Sequence, residues 1–153
     1  MTTLPDLRRR DRIDTDDLDR LWATLAPARL DDLWGSWRGS ELPTGHALSR
    51  LLRKTGWVGK RFVSPLDVQP LVCRREDGTL YSNVELGKGE ASVWMIEFRG
   101  EVTATMVYDG TATFDHFKRV DGNTLLGIMN GKGVLFEGKH FYFVLERAEP
   151  FAI

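Results

Sequence analysis

The sequence predicts a mainly β protein, an antiparallel barrel or half-barrel meander preceded by two or three N-terminal helices. Three observations predict this class. Apolar residues keep helical spacing from about residue 14 to 56, they alternate with period two from Pro65 onward, and turn signals recur along that second half. Roughly seven or eight strands would follow Pro65. So many strands favour closure, because a closed sheet has no exposed edges.

Composition and charge narrow the class of protein. The chain has 153 residues, with 21 basic and 22 acidic side chains and a formal net charge of −1. This balance argues against a nucleic-acid partner, which requires a basic face. Cys73 is the single cysteine, and no apolar leader or membrane-length apolar run is seen. We therefore expect a single domain over residues 1–153, located in the cytoplasm.

Residues 14–62 are expected to form the helical N-terminal part, which also contains one strand. The first helix carries apolar residues at i, i+3, i+4 and i+7, namely Leu18, Leu21, Trp22 and Leu25. Asp14 has the position and side chain of an N-cap. Pro27 should end this helix, because proline cannot continue the hydrogen-bond ladder.

Two further helical segments are expected before residue 62. Residues 30–34 contain one short apolar turn. A third helix is expected at about 45–55, with Thr44 as its candidate cap and Gly56 as the glycine after its last turn. Its buried stripe would consist of Leu48, Leu51 and Leu52.

Residues 65–148 are expected to form the meander. Glycine next to Asp or Asn, as at residues 109–110 and 130–131, supplies the positive φ of tight turns. Four alternating sets of residues each share a face: Trp94, Ile96 and Phe98; Val102, Ala104, Met106 and Tyr108; Leu125, Gly127 and Met129, or their neighbours; and Phe141, Phe143 and Leu145. Alternation does not tell which face is inside, because a shift of one residue reverses every assignment.

A glycine-flanked tryptophan opens the strand expected at Gly35 to Leu42. The sequence Gly35-Ser36-Trp37-Arg38-Gly39 lets the backbone turn while the indole of Trp37 covers one end of the barrel. Near the other end of the chain, Arg147 lies on the same face of its expected strand as Phe143. If that face points inward, the guanidinium needs a partner. Two partners remain open: the ring of Trp37, by a cation-π contact, or an anionic ligand head.

These motifs carry a family resemblance over about residues 30 to 148. The first part resembles the GXWXG-motif domain of bacteria and fungi, through Gly35 to Gly39, Gly45-His46, Trp57, Gly59-Lys60 and Phe62. The second resembles the domain of unknown function that habitually follows it, through Tyr108-Asp109, Asp115, Phe117, Val120-Asp121, Gly127, Met129, Gly133 and Leu145-Glu146-Arg147. Neither resemblance implies a catalytic residue.

A G-x-W opening before a meander also resembles the calycin barrels, which include lipocalins, fatty-acid-binding proteins and haem-binding nitrobindins. This calycin-like resemblance implies a cavity for a hydrophobic ligand. We therefore expect a binding protein that holds a lipid or another hydrophobic small molecule inside the barrel. The candidate ligand-binding residues are Trp37, His46, Trp94, Ile96, Phe98, Met106, Tyr108, Met129, Phe141, Phe143 and Arg147.

Two other functions remain open at this point. One is an enzyme acting on a hydrophobic metabolite through His46 and an aspartate, for which the candidates are Asp109, Asp115 and Asp121. The other is a haem barrel with a single histidine ligand. No cofactor or metal is expected in the favoured interpretation, because the three histidines are isolated in sequence.

A basic run surrounds Trp57 and Phe62. It consists of Arg50, Arg53, Lys54, Lys60 and Arg61. The run is either a solvated face whose long stems cover apolar neighbours, or a surface for transient contact with anionic lipid headgroups.

Overall fold

A computed structural model describes residues 1–153 as four helices, one 3₁₀ turn and ten strands. The helices are α1 (Leu4–Arg8), α2 (Thr15–Thr24), α3 (Leu48–Thr55) and α4 (Val84–Gly87), and the 3₁₀ turn is Leu30–Asp32. The strands are β1 (Ala26–Pro27), β2 (Gly35–Glu41), β3 (Trp57–Ser64), β4 (Asp67–Arg74), β5 (Leu80–Ser82), β6 (Ala91–Phe98), β7 (Glu101–Tyr108), β8 (Phe114–Asp121), β9 (Thr124–Asn130) and β10 (Phe141–Ala148). None of the helices combines the length and the apolar character that a membrane crossing requires.

Eight of the strands close into a ring. Going around it, the order is β8, β7, β6, β4, β3, β2, β10 and β9, and β9 pairs with β8 to complete the circle. All neighbours are antiparallel. The thinnest seam lies between β4 and β6, which share the single pair Val68 and Ala91. The predicted antiparallel barrel is therefore confirmed, and the short strands β1 and β5 pair with β8 and β4 of the ring.

The pairing register divides inside from outside, because side chains of directly opposed residues point to the same face. One row of partners runs through Val93, Met106, Asp115, Met129 and Phe141. Val93, Met106 and Phe141 belong to the apolar core within the ring. The adjacent row runs through Trp94, Thr105, His116, Ile128 and Tyr142 and lies outside it.

Aromatic side chains fill much of the ring. Phe117 meets Phe62 edge-on at 5.8 Å and Phe143 edge-on at 6.1 Å between ring centroids, which is a favourable aromatic geometry. Gly127 makes room for this packing, since a Cβ there would overlap the ring of Phe143. Much of the interior is consequently solid rather than hollow.

The N-terminal helices pack on the outside of the ring. Leu18, Leu21 and Trp22 of α2 join Ile128 and Tyr142 in a second apolar cluster. Asp14 caps α2 as expected, its side chain accepting from the Asp16 N–H. The sequence pattern did not reveal α1, because five residues are too few to show a helical period.

Three expectations about the fold are wrong. Trp94, Ile96 and Phe98 do not face the interior; Trp94 is 51% exposed, and Phe98 stacks on His116 outside the ring. The N-terminal part, for which one strand was expected, also contains β3 at residues 57–64. The sequence pattern missed this strand because Gly59 and Lys60 interrupt the apolar alternation on which strand prediction depends.

The third error concerns the start of α3. Thr44 does not cap it; the first residue before the helix is Ala47, and the Nδ1 of His46 accepts from the Leu48 N–H at 3.1 Å. The predicted end is confirmed, because Gly56 follows the last turn with a φ of 73°.

His116 occupies a tight polar niche between the ring and the helices. Asn130 Nδ2 lies 3.0 Å from His116 Nε2, and Thr105 Oγ1 lies 2.9 Å from Nδ1. The imidazole also stacks on Phe98, with 4.0 Å between centroids. Burial, together with the positive charges of His140 and Arg99, lowers the pKa of His116 to about 4.

This niche predicts acid sensitivity. The pKa of His116 is about 4 in the folded protein and near 6.5 in the unfolded chain, so the unfolded chain binds the proton more tightly. The free energy of unfolding should therefore fall as the pH drops from 6.5 to 4, by up to about 3 kcal/mol from this residue. Urea unfolding at a series of pH values measures the slope.

His116→Gln keeps a polar side chain without a titrating group and should flatten that slope. His46→Gln removes the other histidine whose pKa burial lowers; it should retain the His116 contribution and so flatten the slope less than His116→Gln does. An unchanged slope in His116→Gln would contradict the assignment.

Candidate functional site

A cavity of about 340 Å³ occupies one mouth of the barrel. Eleven of its 16 lining residues are hydrophobic. They come from α3, α4, the neighbouring strand ends and the segment 133–136 between β9 and β10, and include Leu48, Leu51, Leu52, Leu71, Leu86, Met129, Val134, Leu135 and Phe136. This volume is at the lower end of the range found for small-molecule sites.

The apolar stripe of α3 faces this cavity. Leu48, Leu51 and Leu52 have the spacing of a core-facing stripe, yet Leu51 is 42% exposed and Ser49 is the one buried residue of the helix. An amphipathic helix normally gains stability by burying such a stripe. In this protein the stripe lies over a space that its own side chains do not fill.

His46 joins the two sides of the mouth. Its Nδ1 accepts from the backbone of α3, and its Nε2 lies 3.1 Å from the carbonyl oxygen of Val134, to which it donates. The ring also packs edge-on against Phe141 at 5.4 Å. Burial lowers the pKa of His46, which favours the neutral imidazole that this pair of bonds requires.

A charged pair crosses the barrel interior below the cavity. Lys60 Nζ lies 2.9 Å from Asp115 Oδ2, and their side chains are 2% and 0% exposed. Lys60 is on β3 and Asp115 on β8, which stand four strands apart in either direction around the ring. Lys60 therefore does not belong to an exposed basic run. Its inward direction follows from its pairing with Trp37, which the sequence pattern could not show.

Other groups complete the surroundings of this pair. Lys60 Nζ donates to the Pro70 carbonyl at 3.2 Å and lies 3.5 Å from the Tyr108 hydroxyl, and it sits 5.2 Å from the ring centroid of Phe143. Asp115 Oδ1 has no hydrogen-bond donor. Burial raises the pKa of Asp115, although Lys60 opposes this shift. Burial also raises the pKa of Tyr108 well above its usual range.

Tyr108 connects the charged pair to the cavity, because the same side chain lines the cavity wall. Two other residues that the sequence analysis proposed as ligand contacts, His46 and Met129, also line the cavity. Phe141 and Phe143 pack in the interior beside it, and Met106 is fully buried. The sequence did not identify Lys60 as a functional neighbour, and it considered Asp115 only as a partner for His46.

Trp37 and Arg147 are at the opposite end of the barrel. Arg147 Cζ lies 4.2 Å from the ring centroid of Trp37, and its guanidinium donates to the carbonyl oxygens of Trp34 at 2.8 Å and Asp32 at 3.2 Å. The Trp37 indole donates to the Leu33 carbonyl at 2.7 Å. Arg147 lies six positions after Phe141 in β10, about 20 Å along a strand. The cation-π alternative is thus observed, and Arg147 does not face the mouth cavity.

The histidine-and-aspartate constellation does not form. Both nitrogens of His46 are engaged with backbone groups. Asp109 Oδ2 accepts from the Glu90 N–H, and Asp121 Oδ1 accepts from the Asn123 N–H within its turn. Buried Cys73 is a core residue, and burial raises the pKa of its thiol. No three histidine, cysteine or acidic side chains come together in a way that could hold a metal ion.

The charged pair predicts a strong coupling between its two residues. Asp115→Leu or Lys60→Met alone leaves an uncompensated buried charge and should lower the free energy of unfolding by about 3–5 kcal/mol. The double variant Lys60→Met with Asp115→Leu should lose less than either single variant. Arg9→Met removes a surface ion pair and should cost at most about 1 kcal/mol. Urea unfolding of the four variants tests this, and additive losses in the double variant would refute the coupling.

Comparison with known proteins places the chain in a family. Residues 20–78 match the model described as GXWXG protein, and residues 89–147 match the model described as Domain of unknown function (DUF4334). No curated protein matches the sequence. A crystal structure of a protein from Thermomonospora curvata is similar, with 35% sequence identity, coverage of 95% of this chain and 96% of that chain, and a TM-score of 0.86. The chain therefore belongs to the family in which a GXWXG domain is followed by a DUF4334 domain.

Proposed function

We propose that the protein binds a hydrophobic small molecule in the mouth cavity. The observation that carries the proposal is the apolar stripe of α3 lying over unfilled apolar space. The cavity lining, which includes the stripe of α3, is a largely apolar surface. Burying apolar surface is the main source of affinity for hydrophobic ligands. The solid packing around Phe117 and Phe143 restricts the proposal to the mouth of the barrel.

A binding role agrees better with the side chains than either alternative does. An enzyme with His46 as its base would need a free imidazole nitrogen, and a haem ligand would need the same. His46 is the histidine that lines the cavity, and both of its nitrogens are already bonded. The wider likeness to calycin barrels supports the proposal only as an analogy between folds.

We also propose a transient contact with a membrane surface, through only part of the basic run. Arg50, Arg53 and Lys54 are exposed on α3, next to the mouth. Lys60 is excluded because it lies inside the barrel, and Arg61 donates to the Gln69 side chain at 2.7 Å. Such a contact would bring the mouth towards anionic lipids while the bound molecule exchanges.

The proposal predicts binding of an uncharged apolar probe. N-phenyl-1-naphthylamine, whose fluorescence rises in apolar surroundings, should bind the wild-type protein with saturation at one equivalent. Met129→Trp and Leu52→Trp each place an indole into the cavity and should weaken binding tenfold or more, because the ring takes the volume that the probe needs.

Val102→Trp is the matched control, since Val102 is 54% exposed and away from the cavity. It should bind the probe as the wild type does. Circular dichroism confirms that each variant is folded. Lack of saturable binding, or equal binding by all four proteins, would overturn the proposed function.

A further inference from the structure

A polar groove adjoins the mouth cavity. Its volume is about 710 Å³, and His46, Ala47 and Phe136 line both spaces. Apolar residues dominate the cavity wall, whereas 2 of the 11 residues lining the groove are hydrophobic. A molecule that extends past these shared residues meets apolar surface at one end and polar surface at the other.

Positive charge is in excess in this groove. Three arginines line it, Arg12, Arg50 and Arg53, against two carboxylates, Asp11 and Glu41. Arg53 pairs with Glu41. Arg12 and Arg50 form no ion pair with any carboxylate. Two guanidinium groups are consequently available to an anion, and guanidinium binds carboxylate and phosphate with paired hydrogen bonds.

Gly45 sets the position of one of these arginines. The Arg12 guanidinium lies directly over Gly45, where an added Cβ would be 2.8 Å from both Cζ and Nη1. Gly45 also has a φ of +85°, which favours glycine. This glycine therefore permits the approach of Arg12 to the groove.

Ser49 contributes an unsatisfied polar group. The residue is 8% exposed and lines the groove, and its Oγ has no hydrogen-bond partner. It lies in the first turn of α3, whose N-terminal end carries partial positive charge; the N-cap residue Ala47 has no capping side chain, and His46 Nδ1 accepts from the Leu48 N–H alone. A buried hydroxyl without a partner is costly. Ser49 Oγ has almost no accessible surface in its present rotamer, and rotation about χ1 would let it donate to a ligand oxygen in the groove and remove that cost.

We propose that the ligand of the mouth cavity is a single-chain amphiphile with an anionic head, a carboxylate or a phosphate monoester. Its tail occupies the apolar cavity, and its head lies in the groove between Arg12, Arg50 and Ser49 Oγ. This inference rests on the proposed function and specifies the class of its ligand.

The opposite orientation, with the head at the floor of the cavity, is disfavoured by charge. Lys60 is already neutralised by Asp115 and donates to the Pro70 carbonyl. An anion next to this pair would meet the Asp115 carboxylate in a low-dielectric interior, where like charges repel strongly. The groove offers free arginines and contact with solvent instead.

Competition against N-phenyl-1-naphthylamine tests the head group. Decyl phosphate, decanoate and decanol share one tail and differ in the head, and inorganic phosphate has the head alone. The two anionic amphiphiles should displace the probe at concentrations at least tenfold lower than decanol. Inorganic phosphate should not displace the probe, because it does not reach the cavity.

Variants identify the groups that hold the head. The double variant Arg12→Gln with Arg50→Gln should reduce the advantage of decyl phosphate over decanol to within about twofold and leave decanol binding unchanged. Ser49→Ala should weaken decyl phosphate severalfold without lowering thermal stability, because the hydroxyl has no partner in the protein. Lys54→Gln, on the same helix but outside the groove, is the matched control and should behave as the wild type.

The outcomes separate this inference from the proposed function. Suppose that the probe binds the wild type and that decanol and decyl phosphate displace it equally well. This result would overturn the anionic head and leave the cavity proposal standing. Binding of inorganic phosphate that depends on Arg12 and Arg50, without probe displacement by decyl phosphate, would assign the groove to a free anion and also overturn the inference. Failure of the probe itself to bind the wild type would overturn both.

Discussion

The ion pair between Lys60 and Asp115 is the constraint on which the interior depends. The two residues reach each other from opposite walls of the ring, and both are almost completely buried. Removing two charges from water is expensive, so the pair holds only while each charge keeps its partner. The rings of Phe143 and Tyr108 pack around the ammonium group of Lys60. The pair lies at the boundary between the packed interior and the mouth cavity, because Tyr108 is next to Lys60 and also lines the cavity.

The region that matches the GXWXG model and the region that matches the DUF4334 model depend on each other to close the ring. Residues 20–78 contain β1 to β4, whereas residues 89–147 contain most of β6 to β10. Neither group of strands alone closes the ring. Lys60 comes from the first region and Asp115 from the second, and the mouth cavity likewise takes α3 from the first and Met129 from the second. A function located at the mouth is therefore a property of the combined chain.

Local signals predicted the parts of the fold that local physics decides. Asp14 and Gly56 mark helix ends because their side chain or φ satisfies a requirement of the nearest turn. The contact between Trp37 and Arg147 was among the open alternatives, because an inward guanidinium needs a partner. These inferences require only neighbouring residues or one shared face.

Properties that depend on the whole ring were beyond the sequence pattern. Trp94 and Phe98 have larger, aromatic side chains than Val93, yet Val93 faces inward, because Phe98 has partners in Trp22 and His116 on the outer side. Lys60 stands in a basic run, and only the pairing of β3 with β2 turns it towards Asp115. Charge in sequence does not reveal an ion pair between residues 55 positions apart.

Methyl NMR spectroscopy during a titration with N-phenyl-1-naphthylamine tests most directly the claim that the barrel binds at its mouth and nowhere else. The aromatic probe should shift the methyl signals of Leu48, Leu52 and Leu71, which line the cavity. The signals of Leu33, Leu125 and Leu145, at the Trp37 end, should not move. Shifts at the Trp37 end, or at the outer face around Ile96, would contradict the account.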